Sequence, residues 1–184
     1  MKQLFEKHHL FTWLCSLILL IFMGILCIPD RVVTREQREQ ALQNQCIKNL
    51  ENLAGICLKY AKANHGNFPA DIMQEKSVAE ILQEQSLLPE PDVVICPSTR
   101  KRFPASSYNF IPGVTAAMSK KMPCVIEKIT NHDRILGVIH VDGTVKQIRH
   151  ESQNYSALFP LLSEGLTEPE KQLLATHLKR LDIP

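Results

Sequence analysis

The sequence predicts an α+β fold in which a long N-terminal helix packs on a small antiparallel β-sheet, with a further helix at the C-terminus. Three observations support this prediction: an uncharged apolar stretch near the start, a polar run after it with helical periodicity, and several short β-rich runs in the second half. The 184 residues are sufficient for one domain with accessory segments.

The stretch 10–28 predicts a transmembrane helix. It contains no charged residue, and its length is close to the roughly 20 apolar residues that span a bilayer. No small-residue cleavage pattern follows it, which disfavours a cleaved secretory signal. We therefore expect residues 10–28 to contact membrane lipid as a single uncleaved span, preceded by a short tail of residues 1–9.

The run after Pro29 predicts an amphipathic helix of about thirty residues, from near Arg35 to Asn64. His65 and Gly66 follow as a left-handed stop. Apolar residues recur at spacings of three and four along one face: Leu42, Cys46, Leu50, Leu53, Cys57 and Ala61. Such a stripe requires a second layer to cover it, and we expect the sheet to be that layer.

Shorter elements follow this helix. Ser77 with Glu80 predicts a capped second helix, and Thr167 with Glu170 predicts a capped C-terminal helix. The C-terminal helix carries an apolar stripe that we expect to pack on the domain rather than on a partner: Leu173, Leu174, His177, Leu178 and Leu181. The β-rich runs that we interpret as strands are residues 93–96, 106–112, 123–129, 135–141 and 144–148.

Asp142-Gly143 separates the last two of these runs. This pair predicts a tight β-hairpin in which both turn residues take positive φ.

The charges of the chain nearly cancel. It has 21 Lys and Arg against 19 Asp and Glu, and its basic runs are short. A nucleic-acid-binding protein would need a basic stripe that follows phosphates. We therefore expect no nucleic-acid partner.

The six cysteines leave two interpretations open. Four of them lie outside the predicted span: Cys46, Cys57, Cys96 and Cys124. They are consistent with an exported domain that contains one or two disulfides, or with buried free thiols in a cytosolic core. We favour export. Positive residues flank both sides of the span, so their count does not set its orientation.

The histidines near the hairpin raise a metal hypothesis. His132, His140, Asp142 and His150 are residue types that bind metals, and a small metal-dependent enzyme using the three histidines is one interpretation. Their spacings contain no tight pair such as His-x-x-x-His. We therefore favour a structural hairpin and expect no metal, no cofactor and no catalytic residue.

The hairpin also carries a resemblance. His132, nine intervening residues and then Asp142-Gly143 match the His-x9-Asp-Gly signature of a family of prepilin-like bacterial proteins, which resemble type IV pilins and pseudopilins. Further positions similar to the family pattern occur in order along the chain: Cys46, Asn49, Leu50, Tyr60, Gly66, Phe68, Pro69, Cys96, Pro97, Tyr108, Asn109 and Val145.

The resemblance implies a pilin-like fold, with the membrane helix continuing into the amphipathic helix and residues 29–150 forming an exported α+β domain. It implies a disulfide between Cys46 and Cys96, for which Cys57 and Cys124 remain competing partners. His132 is then structural, tying a loop to backbone groups, and Asp142 forms the turn. Residues 151–184 form a C-terminal helical extension without a counterpart in the family pattern.

The processing site departs from the family pattern. Phe11 and Thr12 stand where prepilins have an aromatic residue and Thr or Ser, but Leu10 replaces the glycine before the cleavage point. Cys15 replaces the glutamate at the fifth mature position. Both changes put cleavage and filament assembly in doubt.

The function that the resemblance implies is that of a membrane-anchored, pseudopilin-like structural component. It would be a non-enzymatic part of a bacterial envelope or type II secretion-like apparatus, with other pilin-like subunits or the secretion machinery as partners. Its single inner-membrane span would place the N-terminus in the cytoplasm and the C-terminal domain on the exported side. The alternative, which Leu10 and Cys15 favour, is a single-pass anchored domain that binds a ligand or protein and no longer assembles.

Overall fold

The computed structural model describes Trp13, residues 16–20, Met23 and residues 35–70, 77–88, 91–97, 106–132 and 134–183. The chain divides into two compact units, Met1–Glu39 and Gln40–Pro184. The processing-site residues Leu10, Phe11 and Cys15 lie outside the described residues.

In the first unit, the described residues before Arg35 are helical. Their large apolar side chains are exposed: Trp13, Leu17, Ile18, Leu19, Leu20 and Met23. Within the part of the chain that the structure describes, no helix is both long enough and apolar enough to cross a membrane.

The amphipathic helix is present as α1, Arg35–Ala63. It ends in the predicted left-handed stop, because His65 and Gly66 have φ of 55° and 85° and the Gly66 N–H donates to Ala61 O at 2.7 Å. The predicted apolar stripe is buried from its second residue onward: Cys46, Leu50, Leu53, Cys57 and Ala61. This stripe forms one wall of the core of the second unit.

Four strands form an antiparallel sheet in sequential order: β1 Tyr108–Phe110, β2 Pro123–Glu127, β3 Ile135–His140 and β4 Val145–Arg149. Every residue of β2 is buried, so both faces of the sheet are covered there. α1 covers one face, where Leu50 packs over Gly137. The C-terminal segment covers the other, where the Tyr155 hydroxyl accepts hydrogen bonds from Asn109 Nδ2 and Ile129 N, each at 3.0 Å.

The prediction of a strand at residues 93–96 is wrong. Residues Pro91–Val94 form a short 3₁₀ helix instead. Proline fixes φ near −65°, which suits the first turn of a helix, and the segment is held by contacts from elsewhere: Ser107 N donates to Val94 O at 2.9 Å and Cys96 N donates to Ser107 Oγ at 2.8 Å. Tertiary hydrogen bonds therefore replace the sheet partners that the β-branched residues suggested.

The β3–β4 hairpin is present, but its turn differs from the prediction. Gly143 has φ of 83°, whereas Asp142 is absent from the residues with positive φ. Gly143 N donates to His140 O and His140 N donates to Thr144 O, so an ordinary β-turn is followed by one left-handed glycine. The Asp142 carboxylate accepts from Thr144 N at 2.9 Å, which stabilises this longer turn.

Both predicted capping boxes are present, at the starts of α2, Val78–Glu84, and of the C-terminal helix α4, Glu168–Leu181. A 3₁₀ turn, Ser156–Leu158, and the short helix α3, Phe159–Leu162, connect the sheet to α4. Leu174 and Leu178 of α4 are fully buried in the core shared with the sheet. The C-terminal helix therefore packs on the domain, as its apolar stripe predicted.

Candidate functional site

A glycine in β3 makes room for a buried carboxylate between the sheet and α1. Ile126 pairs with Val138 in the antiparallel β2–β3 register, so Gly137, the residue before Val138, lies beside Glu127. A Cβ at Gly137 would overlap Leu50 Cδ1 and lie 2.8 Å from Glu127 Oε2. The missing side chain thus provides the space that Leu50 and the Glu127 carboxylate share.

The Glu127 carboxylate is almost fully buried, with 1% of the residue exposed. Gly137 N donates to its Oε2 at 2.9 Å, and Asn131 Nδ2 donates to its Oε1 at 3.0 Å. Burial raises the pKa of Glu127, because the charged form loses its hydration, while the hydrogen bonds from Asn131 and Gly137 act in the opposite direction. A buried carboxylate with two directed donors is a specific arrangement and a costly one.

His132, the first residue of the signature motif, lies next to this carboxylate. Its Nε2 is 3.5 Å from Glu127 Oε1 and 3.3 Å from Cys96 Sγ. The side chains of His132 and Glu127 are both 2% exposed. The imidazole of the motif histidine therefore contacts both a carboxylate and a sulfur atom in the interior of the domain.

The sulfur belongs to a disulfide between Cys46 of α1 and Cys96. This is the pair that the resemblance implied, and the two Cα atoms are 5.4 Å apart. The competing residues Cys57 and Cys124 are buried free thiols. Burial raises the pKa of both thiols, that of Cys124 to about 12, so both are neutral at physiological pH.

A shell of backbone and amide groups holds the loops around the site. Asn131 Nδ2 donates to Ser107 O at 2.9 Å as well as to Glu127, and Lys128 N donates to the same carbonyl at 2.9 Å. Asn49 of α1 donates to Ile95 O at 3.1 Å, next to the disulfide. These bonds fix the orientation of the two segments that carry Cys96 and His132.

One further polar group borders the site. Tyr108 pairs with Glu127 across β1 and β2, and its buried hydroxyl has no hydrogen-bond partner among the described residues. Burial, together with the nearby Glu127 carboxylate, raises the pKa of Tyr108 well above its ordinary value. The phenol is therefore a neutral neighbour of the carboxylate.

Four potential metal-binding side chains converge here. Their donor atoms all lie within 4.8 Å of one another, and we call them the four-donor cluster: Cys46, Cys96, Glu127 and His132. Within the described ranges, no other set of three or more such side chains comes together in this way. Thiolate, imidazole and carboxylate are the ligands that Zn²⁺ prefers.

The ligand set considered from the sequence does not form this cluster. His140 Nδ1 lies 3.4 Å from Thr144 O inside the hairpin, and His150 Nδ1 lies 3.0 Å from Ser152 O. Asp142 is occupied in the turn, where its hydrogen bonds to Thr144 lower its pKa. Of the set, only His132 is in the cluster.

A cavity of about 450 Å³ lies beside His132. Its lining mixes imidazole, hydroxyl, charged and apolar groups: Ile129, Thr130, His132, Arg134, His150, Glu151, Ser152 and Gln153. Its volume falls within the usual range for small-molecule sites. His132 therefore belongs both to the lining of this cavity and to the four-donor cluster.

Glu127 is the site residue that the sequence analysis did not single out. The sequence does contain a pattern that indicates it: strand alternation in the β-rich run 123–129 places Glu127 on the same face as Val125. A carboxylate on an apolar face must be paired or hydrogen-bonded when buried. The sequence did not reveal that its partners come from a strand glycine and from the motif loop.

Comparison of the chain with protein-family models, with curated protein sequences and with solved structures finds no match.

Proposed function

We propose that this chain is a membrane-anchored, pseudopilin-like structural component of a bacterial envelope or secretion-type apparatus and has no enzymatic activity. The observation that supports this function best is the packing of the amphipathic helix α1 on a four-stranded antiparallel sheet. In such a protein, the helix carries the contacts to membrane and neighbouring subunits, while the sheet gives it a rigid support.

The exposed apolar residues before α1 support the anchoring part of this proposal. Leu17, Ile18, Leu19 and Leu20 are helical and each is at least half exposed. Contiguous exposed apolar residues indicate a protein or membrane contact. The uncharged stretch to which they belong, residues 10–28, has a length suited to a bilayer.

Membrane extraction tests the anchor. We expect the full-length chain to stay in bacterial membranes under alkaline carbonate washing, and Leu19→Arg with Leu20→Arg to release it. Each arginine near the centre of a span costs about 2.5–3.5 kcal/mol on insertion scales. Leu161→Arg is the matched control, because Leu161 is 52% exposed in the C-terminal segment. Release of the unaltered chain would exclude an anchored component.

Photo-cross-linking tests assembly. We would place a benzophenone amino acid at position 20 and, as the control, at position 161. Adducts with further copies of the chain, found only from position 20, would support assembly through the N-terminal helix. Adducts with lipid alone would contradict assembly and leave the anchor. The N-terminal mass of the mature chain would show in the same membranes whether processing occurs at Phe11.

A second candidate function is that of an anchored ligand-binding domain. The cavity beside His132 favours it, since its volume of about 450 Å³ suits a small molecule and its lining combines Arg134, His150 and Ser152 with apolar groups. We expect substitution Arg134→Ala to abolish ligand binding without release from the membrane if this function applies. Lipid-only cross-links at position 20 together with a ligand that protects the full-length chain against unfolding would favour it over assembly.

A further inference from the structure

Two of the six donor–donor distances in the four-donor cluster match those of a tetrahedral metal site. With bonds of about 2.3 Å to sulfur and about 2.0–2.1 Å to nitrogen or oxygen, neighbouring ligand atoms in such a site lie about 3.3–3.8 Å apart. The distance from His132 Nε2 to Cys96 Sγ is 3.3 Å, and that from His132 Nε2 to Glu127 Oε1 is 3.5 Å. Two of the required edges are therefore already in place.

A disulfide alone does not account for the other two side chains. A bonded pair of sulfurs needs neither an imidazole nor a carboxylate beside it, and each of these groups is costly to bury. Yet the donor atoms of His132 and Glu127 lie within 4.8 Å of both sulfurs of the Cys46–Cys96 pair, with 2% of each side chain exposed. Their convergence on the sulfurs is explained if the sulfurs have a second chemical state.

We propose that the four-donor cluster binds one Zn²⁺ ion when the disulfide is reduced. The two sulfurs would separate to about 3.8 Å by small rotations of the cysteine side chains. A Cα–Cα distance of 5.4 Å leaves room for this change without displacing the backbone. The inference does not depend on the function proposed above.

The donor set selects the metal. Two thiolates exclude Ca²⁺ and Mg²⁺, which require oxygen ligands, whereas two sulfurs with one imidazole and one carboxylate suit Zn²⁺. The four ligands with neutral His132 carry three negative charges, so the bound site has a net charge of −1. Asn131 Nδ2 and Gly137 N each donate to the Glu127 carboxylate and spread this charge.

The two states exchange by a balanced reaction. An external dithiol transfers two electrons and two protons to the disulfide, which becomes two thiols while the dithiol becomes a disulfide. Zn²⁺ binding then releases the two thiol protons to solvent. No position on the ion remains open, because all four ligands come from the protein, so the site is of the structural kind.

The cluster has the support that a metal site requires. One of its residues, His132, also lines the 450 Å³ cavity. The ligands come from α1, the segment after the 3₁₀ helix, β2 and the motif loop. A bound ion would therefore join the same two segments as the disulfide and would add β2 and the motif loop to them.

Cobalt substitution tests the proposal on the full-length chain in mild detergent. The disulfide is reduced without oxygen by a phosphine, which is oxidised to the phosphine oxide with oxygen from water and, unlike a dithiol, leaves no thiolate to compete for metal. We then expect titration with Co²⁺ to give one equivalent bound per chain, with the visible bands of tetrahedral Co²⁺ and a thiolate-to-metal charge-transfer band. Zn²⁺ should abolish both signals by displacement.

Matched variants assign the ligands. We expect His132→Gln and Glu127→Gln to weaken Co²⁺ binding by more than about 100-fold, since even second-shell losses cost 10–100-fold. His140→Gln is the control for a buried histidine outside the cluster, and Cys57→Ala is the control for a buried thiol. Both should leave the spectrum unchanged.

Three results would overturn the proposal, two of them from the unaltered chain. Absence of the tetrahedral Co²⁺ spectrum in a reduced chain that keeps its far-ultraviolet circular dichroism would do so. If reduction unfolds the chain, recovery of the fold on adding Zn²⁺ supports the site, and failure to recover it refutes the site. A charge-transfer band that persists after Cys46→Ala with Cys96→Ala would assign the metal to other thiols and also refute it.

Discussion

Gly137→Ala tests whether the missing side chain in β3 is what lets Leu50 and the Glu127 carboxylate share one face of the sheet. The new Cβ would overlap Leu50 Cδ1 and stand 2.8 Å from Glu127 Oε2. Leu50 is 1% exposed and cannot turn into solvent. The substitution therefore compresses the core and strains the hydrogen bond from the residue 137 N–H to the carboxylate.

The expected cost follows from these two effects. Overpacking a core costs about 1–3 kcal/mol, and disturbing a buried hydrogen bond to a charged group costs about 1.5–3 kcal/mol. The two costs overlap, because movement of Glu127 relieves one at the expense of the other. Removing a strand glycine returns about 0.5–1 kcal/mol of backbone entropy. We expect the free energy of unfolding to fall by about 3 kcal/mol.

Urea unfolding of the full-length chain, followed by circular dichroism, measures this change. Gly55→Ala in α1 is the matched control, since a Cβ there meets no atom within 4 Å. That variant should gain about 1 kcal/mol from helix propensity. In a double-mutant cycle, Leu50→Ala should relieve part of the cost of Gly137→Ala.

Two results would refute this reasoning. A free energy of unfolding for Gly137→Ala within about 0.5 kcal/mol of the wild type would mean that the space between Gly137 and Leu50 accommodates a methyl group. Strict additivity with Leu50→Ala would mean that the cost arises elsewhere.

Three further outcomes are expected. Replacing both Cys46 and Cys96 with Ala should lower the free energy of unfolding by about 4 kcal/mol relative to the oxidised chain, because the disulfide closes a loop of 50 residues. Urea unfolding measures this change, and a loss below about 1 kcal/mol would contradict the chain-entropy account. Burial, with the Arg180 charge, lowers the pKa of His177 to about 4, whereas its unfolded value is near 6.5. Because only the unfolded state binds the proton between these two pKa values, stability should fall as pH drops from about 6.5 towards 4. For His177→Gln, the melting temperature should fall less steeply with pH over this range, and an unchanged dependence would show that His177 does not cause it. Tyr155→Phe should lower the free energy of unfolding in urea by about 1–3 kcal/mol, because the backbone N–H and the side-chain amide that donate to its hydroxyl lose their acceptor. An unchanged free energy of unfolding would show that water replaces the hydroxyl.

The elements that the sequence predicted are those with local causes. α1 follows from a stripe at helical spacing and a left-handed stop, and α2 and α4 follow from capping boxes. The β3–β4 hairpin follows from Asp142-Gly143, although only Gly143 of this pair takes positive φ. In these cases the physical cause lies within a few residues of its effect.

The features that the sequence did not predict depend on contacts between distant segments. Residues 91–94 contain β-branched residues, yet two hydrogen bonds with Ser107 and the disulfide between Cys96 and α1 hold this segment away from the sheet. The four-donor cluster requires three features to occur together: the β2–β3 register, the space left by the missing side chain at Gly137, and the disulfide. No pattern of residue spacing in the sequence indicates that these three features occur together.

The position of β4 at the end of the sheet restricts how this protein can associate. A terminal strand offers unpaired backbone groups to which a strand of another molecule can add. In β4, however, Lys146 and Arg149 are exposed, and charged side chains on an edge strand oppose such addition. Growth of the sheet from one molecule into the next is thereby discouraged at this edge.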